Sequence, residues 1–331
     1  MDQESLKRVA PRIFRNRLPS LALRFMDNAA VKTRHFCLPP EELAAERGAA
    51  ERADLYVEHA LELSRKAGQR ALDRAGLEPG DVDRLVVTST TGEPTPSLDT
   101  RLQLAMGLPL EHTRPRPARG HGCAGGAEEL GQAADWARAH PGGVVLVVSV
   151  ELCGLVFQPG DVSRANLVAA SLFADGAAAV ALSTDGEGPE VLGDDCVIWP
   201  DTGHIMGWRQ DEKGVFLVLD KGVPALVRGE FRPSVERGLR RLGLEFGELR
   251  HFLMHPGGPA VIEALEDVLE LERGGLRLSR EVLEGYGNMS SATLLFILER
   301  FLEEGEYASG DLGLLSAMGP GFRAEHVFIR C

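Results

Sequence analysis

The sequence contains no long apolar run, no closely paired cysteines and no excess of positive charge, and each absence narrows what the chain can be. No apolar stretch approaches the ~18 residues of a membrane-spanning helix, and the first residues are charged, so neither membrane insertion nor secretion is expected. The five cysteines (Cys37, Cys123, Cys153, Cys196 and Cys331) are odd in number and widely spaced. They signal neither a disulfide framework nor a zinc site, and they fit a reducing cytoplasmic location. A net charge of −13 argues against nucleic acid as the main partner. What remains is a globular chain of 331 residues, 44% hydrophobic, long enough for two core-bearing domains or one duplicated unit.

The stretch that organises this chain is Gly120-His121-Gly122-Cys123-Ala124-Gly125-Gly126. Ala127, Leu130, Ala134 and Ala137 follow at helical spacing, which places Cys123 at a helix N-terminus. Unpaired N–H groups and the positive helix end favour a thiolate there, the nucleophilic form of a group whose pKa is otherwise about 8.5. Taken alone, such a cysteine reads better as a buried residue in a tight turn. Gly120-x-Gly122-x-x-Gly125 also fits a dinucleotide-binding turn, but that pattern needs a buried strand before it. The preceding Arg114-Pro115-Arg116-Pro117 cannot be a central parallel strand, so a nucleotide fold is rejected.

Along the chain, Arg12, Arg15, Arg17, Arg24, Lys32 and Arg34 make a basic segment, either a solvated helix face or a phosphate site at a tunnel mouth. Ala53 to Ala75 is an amphipathic helix, followed by a strand at Leu85-Val86-Val87 that ends in the hydroxyls Thr88-Ser89-Thr90-Thr91. Val144 to Val150 is a strand buried on both faces. Asn166 to Phe173 is helical, Asp175-Gly176 a turn, Ala177 to Leu182 a buried strand, and Asp185 to Asp195 a connection between two halves. The second half repeats the order. Pro224 to Leu242 is a helix, Phe252-Leu253-Met254 a strand, Ser291 to Leu302 an apolar helix, and Leu312 to Ala317 and His326 to Ile329 are strands. The boundary falls at 189/190, giving an N-terminal half (1–189) with the cysteine and a C-terminal half (190–331).

Cys123 opens the buried helix of the first half, and Gly287-Asn288-Met289-Ser290-Ser291 opens its counterpart in the second, whose preceding strand ends at His255. Strand ends and helix starts facing a common centre are where open α/β sheets bind ligands. Singly, His255 reads as a satisfied structural histidine and Asn288 as a helix cap. Jointly they make a nucleophile, a proton acceptor and a neutral hydrogen-bond donor, which suits acyl transfer and stabilisation of an enolate.

His121-Gly122-Cys123-Ala124-Gly125-Gly126, Met254-His255-Pro256-Gly257-Gly258-Pro259, Tyr286-Gly287-Asn288-Met289-Ser290-Ser291-Ala292-Thr293 and Met318-Gly319-Pro320-Gly321-Phe322 resemble the signatures of bacterial type III polyketide synthases, the chalcone synthase relatives of the thiolase superfamily. The resemblance runs from about Ala22 to the end. It implies a thiolase-like five-layered αβαβα fold of two pseudo-symmetric halves, a homodimer, acyl-CoA and malonyl-CoA as substrates, and no cofactor or metal. By the same motifs, Cys123 is the acyl-bearing nucleophile, with His255 and Asn288 driving decarboxylation and condensation. Phe173 matches a gatekeeper phenylalanine, and a second gatekeeper position falls on Leu217, with Phe216 beside it. Cys153, Val156, Thr91, Ser290, Gly319, Pro320 and Gly321 match substrate-binding positions, and Arg24 matches an arginine near the coenzyme A phosphates.

The apolar character of Cys153, Val156 and Leu217 favours aliphatic acyl-CoA starters and alkylpyrone or alkylresorcinol products. In two respects the chain departs from the family. The glycine-containing strand and following helix that usually precede the segment matching Leu21 are expected to be missing, and Ala169 and Ala174 stand where glycines are common. Two alternatives remain. The related carrier-protein-dependent ketoacyl synthases III are the nearer one, although their histidine is followed by Gln-Ala-Asn and not by Pro-Gly-Gly. A non-catalytic thiolase-fold partner is the other, yet it would need none of Cys123, His255 and Asn288.

Overall fold

The β-branched and leucine-rich runs form the inner strands of two four-stranded sheets. In the computed structural model, which describes residues 1–15, 19–212 and 214–331, the first sheet comprises β1 (Val82–Thr88), β2 (Arg114–Ala118), β3 (Val144–Leu152) and β4 (Asp175–Leu182), ordered β2-β1-β3-β4. Arg17 of the basic segment lies outside the described residues. β3 runs parallel to β1 and antiparallel to β4 and is buried along its whole length, as a strand covered on both faces must be. The chain continues through β5 (Glu190–Ile198) and a separate antiparallel hairpin of β6 (Met206–Asp211) and β7 (Gly214–Leu219). β8 (Leu249–Met254), β9 (Leu312–Gly319) and β10 (Arg323–Arg330) then complete a second sheet, ordered β5-β10-β9-β8.

Two helices lie between the sheets, Gly125–Ala139 and Ala292–Glu304, each touching strands of both. The first is made of small residues where it is buried (Gly125, Gly126, Ala127, Gly131, Ala133, Ala134 and Ala137), so the layers approach closely. A Cβ on Gly126 would overlap the Ser291 carbonyl oxygen, which is why that position carries none. Ala49–Ala75 covers the outer face of β3 and β4, while Arg232–Leu242 and Arg277–Tyr286 cover the second sheet. The result is the αβαβα layering that the resemblance implies.

Arg114–Ala118 is a strand parallel to β1, and it is not central: it lies at the sheet edge, where prolines are tolerated. Several expectations are corrected. Asp175-Gly176 is the start of β4 and not a turn; its Asp175 carboxylate accepts the N–H groups of Cys37 (2.8 Å) and Gly154 (2.7 Å). β4 is half-buried beyond Asp175 because it too is an edge, whereas its counterpart β10 has β5 on its outer side. Most of the stretch Asp185–Asp195 is likewise not a connection, since β5 begins at Glu190. Pro224–Leu242 is interrupted by a π-turn at Val227–Phe231, just before Pro233, which has no N–H to offer the preceding turn. A helix does precede Leu21: Gln3–Ile13, whose Asp2 side chain caps the Ser5 N–H at 2.6 Å.

Candidate active site

Cys123 sits in a one-turn 3₁₀ segment, Gly122–Ala124, that leads directly into the buried helix Gly125–Ala139. His255 follows the last residue of β8, and its N–H donates to Ser316 O on neighbouring β9 (2.8 Å). Asn288 lies between two helices of the second half, yet its backbone belongs to the first. Its N–H donates to Leu172 O (2.8 Å), and its carbonyl accepts from Ala174 N–H (2.9 Å). Its side-chain Oδ1 accepts the Ser290 N–H (2.8 Å), so the amide nitrogen is left to donate into the site.

These three residues line one cavity of about 410 Å³ that opens past Phe25, Arg164 and Lys221. A second cavity of about 100 Å³ begins at Cys123 and is lined by Cys153, Val156, Thr91, Ser290 and Pro320. Cys123, Phe173, Met206 and Leu219 border both, which puts Phe173 between an entrance and an inner chamber. Leu217 lines the inner chamber, whereas Phe216 lies outside it beneath the Arg209 guanidinium. Gly319 and Gly321 line neither cavity; they flank Pro320 in the turn that presses against Gly122. Arg24 is exposed and lines neither cavity, so the basic groups at the entrance are Arg164, stacked over Phe25, and Lys221. Arg15 and Lys32 pair with Glu46 and Glu284, and Arg34 is buried.

The electrostatics differ from the sequence expectation of a thiolate-favouring helix end. Burial pushes the Cys123 thiol up to about 12, and the Glu151 carboxylate adds to that, while the Ser290 and Asn288 side chains and its own N–H pull it down. Burial pulls the His255 imidazole down to about 3, and neither ring nitrogen has a hydrogen-bond partner among the described residues. Each group alone is therefore held in its uncharged form. Transfer of the thiol proton to the imidazole creates two charges that compensate each other, which a buried site penalises less than either alone.

Glu151 was not singled out from the sequence. It is fully buried at the end of β3 and accepts Thr90 N–H (2.9 Å), Thr91 N–H (3.1 Å), Thr91 Oγ1 (3.0 Å) and Ser291 Oγ (2.7 Å). The signal was available, since a lone carboxylate ends an otherwise apolar buried strand. Met206 and Trp208, which wall the inner chamber from the hairpin, carry no such signal. Among the described residues one group has metal-ligand spacing, His121 with Glu128 and Glu129. Arg116 already bonds Glu129 (2.6 Å) and Arg323 approaches Glu128 (3.5 Å), which supplies the positive charge those carboxylates need.

Comparison with known proteins decides the family. Residues 19–186 match the model for the N-terminal domain of chalcone and stilbene synthases, and residues 194–331 match that for the C-terminal domain. The chain belongs to the chalcone and stilbene synthase family. It is 42% identical over 319 residues to a 1,3,6,8-tetrahydroxynaphthalene synthase of Streptomyces peucetius subsp. caesius, covering 94% of this chain and 84% of that one. Identity to a phloroglucinol synthase of Pseudomonas fluorescens is 32%, covering 92% and 88%. The crystal structure of the tetrahydroxynaphthalene synthase of Streptomyces coelicolor A3(2), a bacterial type III polyketide synthase, superimposes with a TM-score of 0.94 at 32% identity, over 100% of this chain and 95% of that one. This family member is thus an acyltransferase of the type III polyketide synthase class with the thiolase-like fold, condensing malonyl-CoA from free coenzyme A thioesters without a cofactor. No helix among the described residues is long and apolar enough to cross a membrane.

Proposed function

We propose that the chain loads an aliphatic acyl-CoA starter on Cys123 and extends it with malonyl-CoA to alkylpyrone or alkylresorcinol products. The carrying observation is the inner chamber, which runs from Cys123 to an apolar end formed by Leu6, Ile13, Phe14 and Met26. The apolar part of that wall gains about 0.8 kcal/mol per buried CH₂, and the polar Arg34, Gln158 and Asn166 that also line the chamber are bonded to backbone carbonyls.

In this reading His255 takes the Cys123 proton and the sulfur attacks the starter thioester, releasing coenzyme A as the thiol. That release returns the proton to coenzyme A and leaves His255 neutral; malonyl-CoA then loses carbon dioxide, and the negative charge left on its thioester oxygen is held by the Asn288 amide and a ring N–H of neutral His255. The enolate carbon attacks the acyl carbonyl on Cys123, a carbon–carbon bond forms, and the sulfur leaves. The coenzyme A moiety occupies the entrance cavity, its phosphates at the rim near Arg164 and Lys221. Residues 1–189 and 190–331 act as the two halves of the enzyme, in the cytoplasm and as a homodimer, as the family resemblance implies.

A second reading has one specific support. The names of the relatives give tetrahydroxynaphthalene, phloroglucinol and 3,5-dihydroxyphenylacetyl-CoA as products, all hydroxylated aromatics without an alkyl chain. By that reading malonyl-CoA alone is starter and extender. Competition among malonyl-, medium-chain, long-chain and coumaroyl-CoA, with mass detection of products, separates the cases. Products built from malonyl units alone, or a preference for coumaroyl-CoA, would overturn the aliphatic starter.

A further inference from the structure

Arg34 differs from every other residue of the basic segment whose place is described: it is 2% exposed. No carboxylate among the described residues pairs with it, and burying an unpaired cation is costly. What surrounds the guanidinium is a set of neutral oxygens. Nη1 donates to Ala170 O (2.7 Å) and Phe173 O (3.0 Å), and Nη2 donates to Gln3 Oε1 (2.9 Å). Gln3 is itself turned by donation from its amide nitrogen to Met26 O (2.9 Å), which aims its oxygen at Arg34.

Two of these acceptors are carbonyls at the C-terminal end of the helix Arg164–Leu172, where the chain lacks its own donors and the helix dipole is negative. That partial charge, together with the Phe36 ring whose centroid lies 5.6 Å from the guanidinium carbon, compensates the buried cation. Burial pulls its pKa down to about 9, so at neutral pH it stays protonated.

The bonded segment leads straight to the site. Phe173 separates entrance from chamber, and Phe173 and Asn288 pair as an isolated parallel bridge. The Arg34 stem also lies against Gly287, where a Cβ would come within 2.8 Å of Arg34 Cγ. The Lys32 and Thr33 N–H groups bond Glu284 O (2.7 and 3.1 Å) in the helix leading to Asn288. Arg34 therefore bonds the backbone on the Phe173 side of the bridge and packs against Gly287 on the Asn288 side.

We propose that Arg34 is a positioning residue for decarboxylation: by capping the Arg164–Leu172 helix it fixes Phe173, and through the Phe173–Asn288 bridge it sets the Asn288 amide. The proposal rests on the reading that Asn288 stabilises the malonyl-derived enolate. The Asn288 side chain also touches the Cys123 thiol, but the enolate depends on its amide as oxyanion donor, so decarboxylation responds more strongly than starter acylation.

The test uses the full chain and the variants Arg34→Lys and Arg34→Gln. Acylation of Cys123 by an acyl-CoA starter is followed by intact mass, and carbon dioxide release from radiolabelled malonyl-CoA is followed separately. An ammonium group cannot reproduce the guanidinium fork. Arg34→Lys should lower the kcat of decarboxylation about tenfold, with starter acylation and the KM for malonyl-CoA within about twofold of wild type; Arg34→Gln should lower it further. If Arg34→Gln does not fold, Arg34→Lys decides. Equal loss of acylation and decarboxylation, or no loss of either, overturns the proposal. Wild-type protein that releases no carbon dioxide would instead sink the reading of Asn288.

Discussion

Phe173 and Asn288, from different halves of the chain, are joined by two backbone hydrogen bonds, Asn288 N–H to Leu172 O and Ala174 N–H to Asn288 O, so the residue that borders both cavities and the proposed oxyanion donor share one backbone bridge. Because the bridge is made of backbone, truncating the Asn288 side chain leaves it in place. Asn288→Ala is expected to keep the fold and starter acylation while malonyl decarboxylation falls by roughly 10²–10³, the usual loss for one oxyanion donor. Carbon dioxide release at the wild-type rate would remove Asn288 from that role.

The proton exchange proposed between Cys123 and His255 has a pH signature. Without His255, burial and the Glu151 charge alone set the thiol, and both raise it. In His255→Ala, iodoacetamide inactivation at Cys123 should be slow at neutral pH and still rise above pH 9. Wild type should react faster between pH 6 and 8, where the imidazole can take the proton. Glu151→Gln removes a negative neighbour and should shift the His255→Ala profile to lower pH. Superimposable wild-type and His255→Ala profiles would show that no proton passes between the two.

Gly126 tests the packing that brings Cys123 and Asn288 to one centre. Its missing Cβ is the space occupied by the Ser291 carbonyl, next to the helix that follows Asn288. Gly126→Ala should destabilise by about 1–3 kcal/mol, the usual cost of overpacking, and lower the thermal midpoint and activity together. An unchanged midpoint would mean that the two central helices can separate without cost.

How much of this could be read from the chain follows from which residues answer to local rules. The valine run of β3 and the amphipathic helix before β1 obey periodicity, and Cys123, His255 and Asn288 stand at strand ends and helix starts that face one centre. Asp175-Gly176 misleads because Asp-Gly is a turn signal, yet here the carboxylate is used by the N–H groups of Cys37 and Gly154. Arg114–Ala118 is excluded from a central position as its prolines require, and it forms an edge strand because prolines two residues apart turn their missing donors to the same, unpaired side. β6, with Gly207, Arg209 and Gln210 beside Trp208, has no strand-like alternation, and its place against the inner chamber is a purely tertiary fact. Arg34 was one arginine among several in a basic segment; only the fold shows that its partners are carbonyls.

The aliphatic-starter reading makes a claim about volume that one side chain can test. Val156 is partly buried and lines the inner chamber, so Val156→Phe fills space that an alkyl chain would occupy without touching Cys123, His255 or Asn288. Excluding four methylenes forfeits about 3 kcal/mol at 0.8 kcal/mol each, or roughly 10²-fold in kcat/KM for a long-chain starter. Malonyl-CoA decarboxylation needs only the entrance side and should stay within about threefold of wild type. The expected result is thus a loss that grows with starter length, read from product masses across a series of acyl-CoA chain lengths. A loss independent of chain length would place the starter elsewhere, and a variant that makes fewer extensions from malonyl-CoA alone would assign the chamber to the growing polyketide instead.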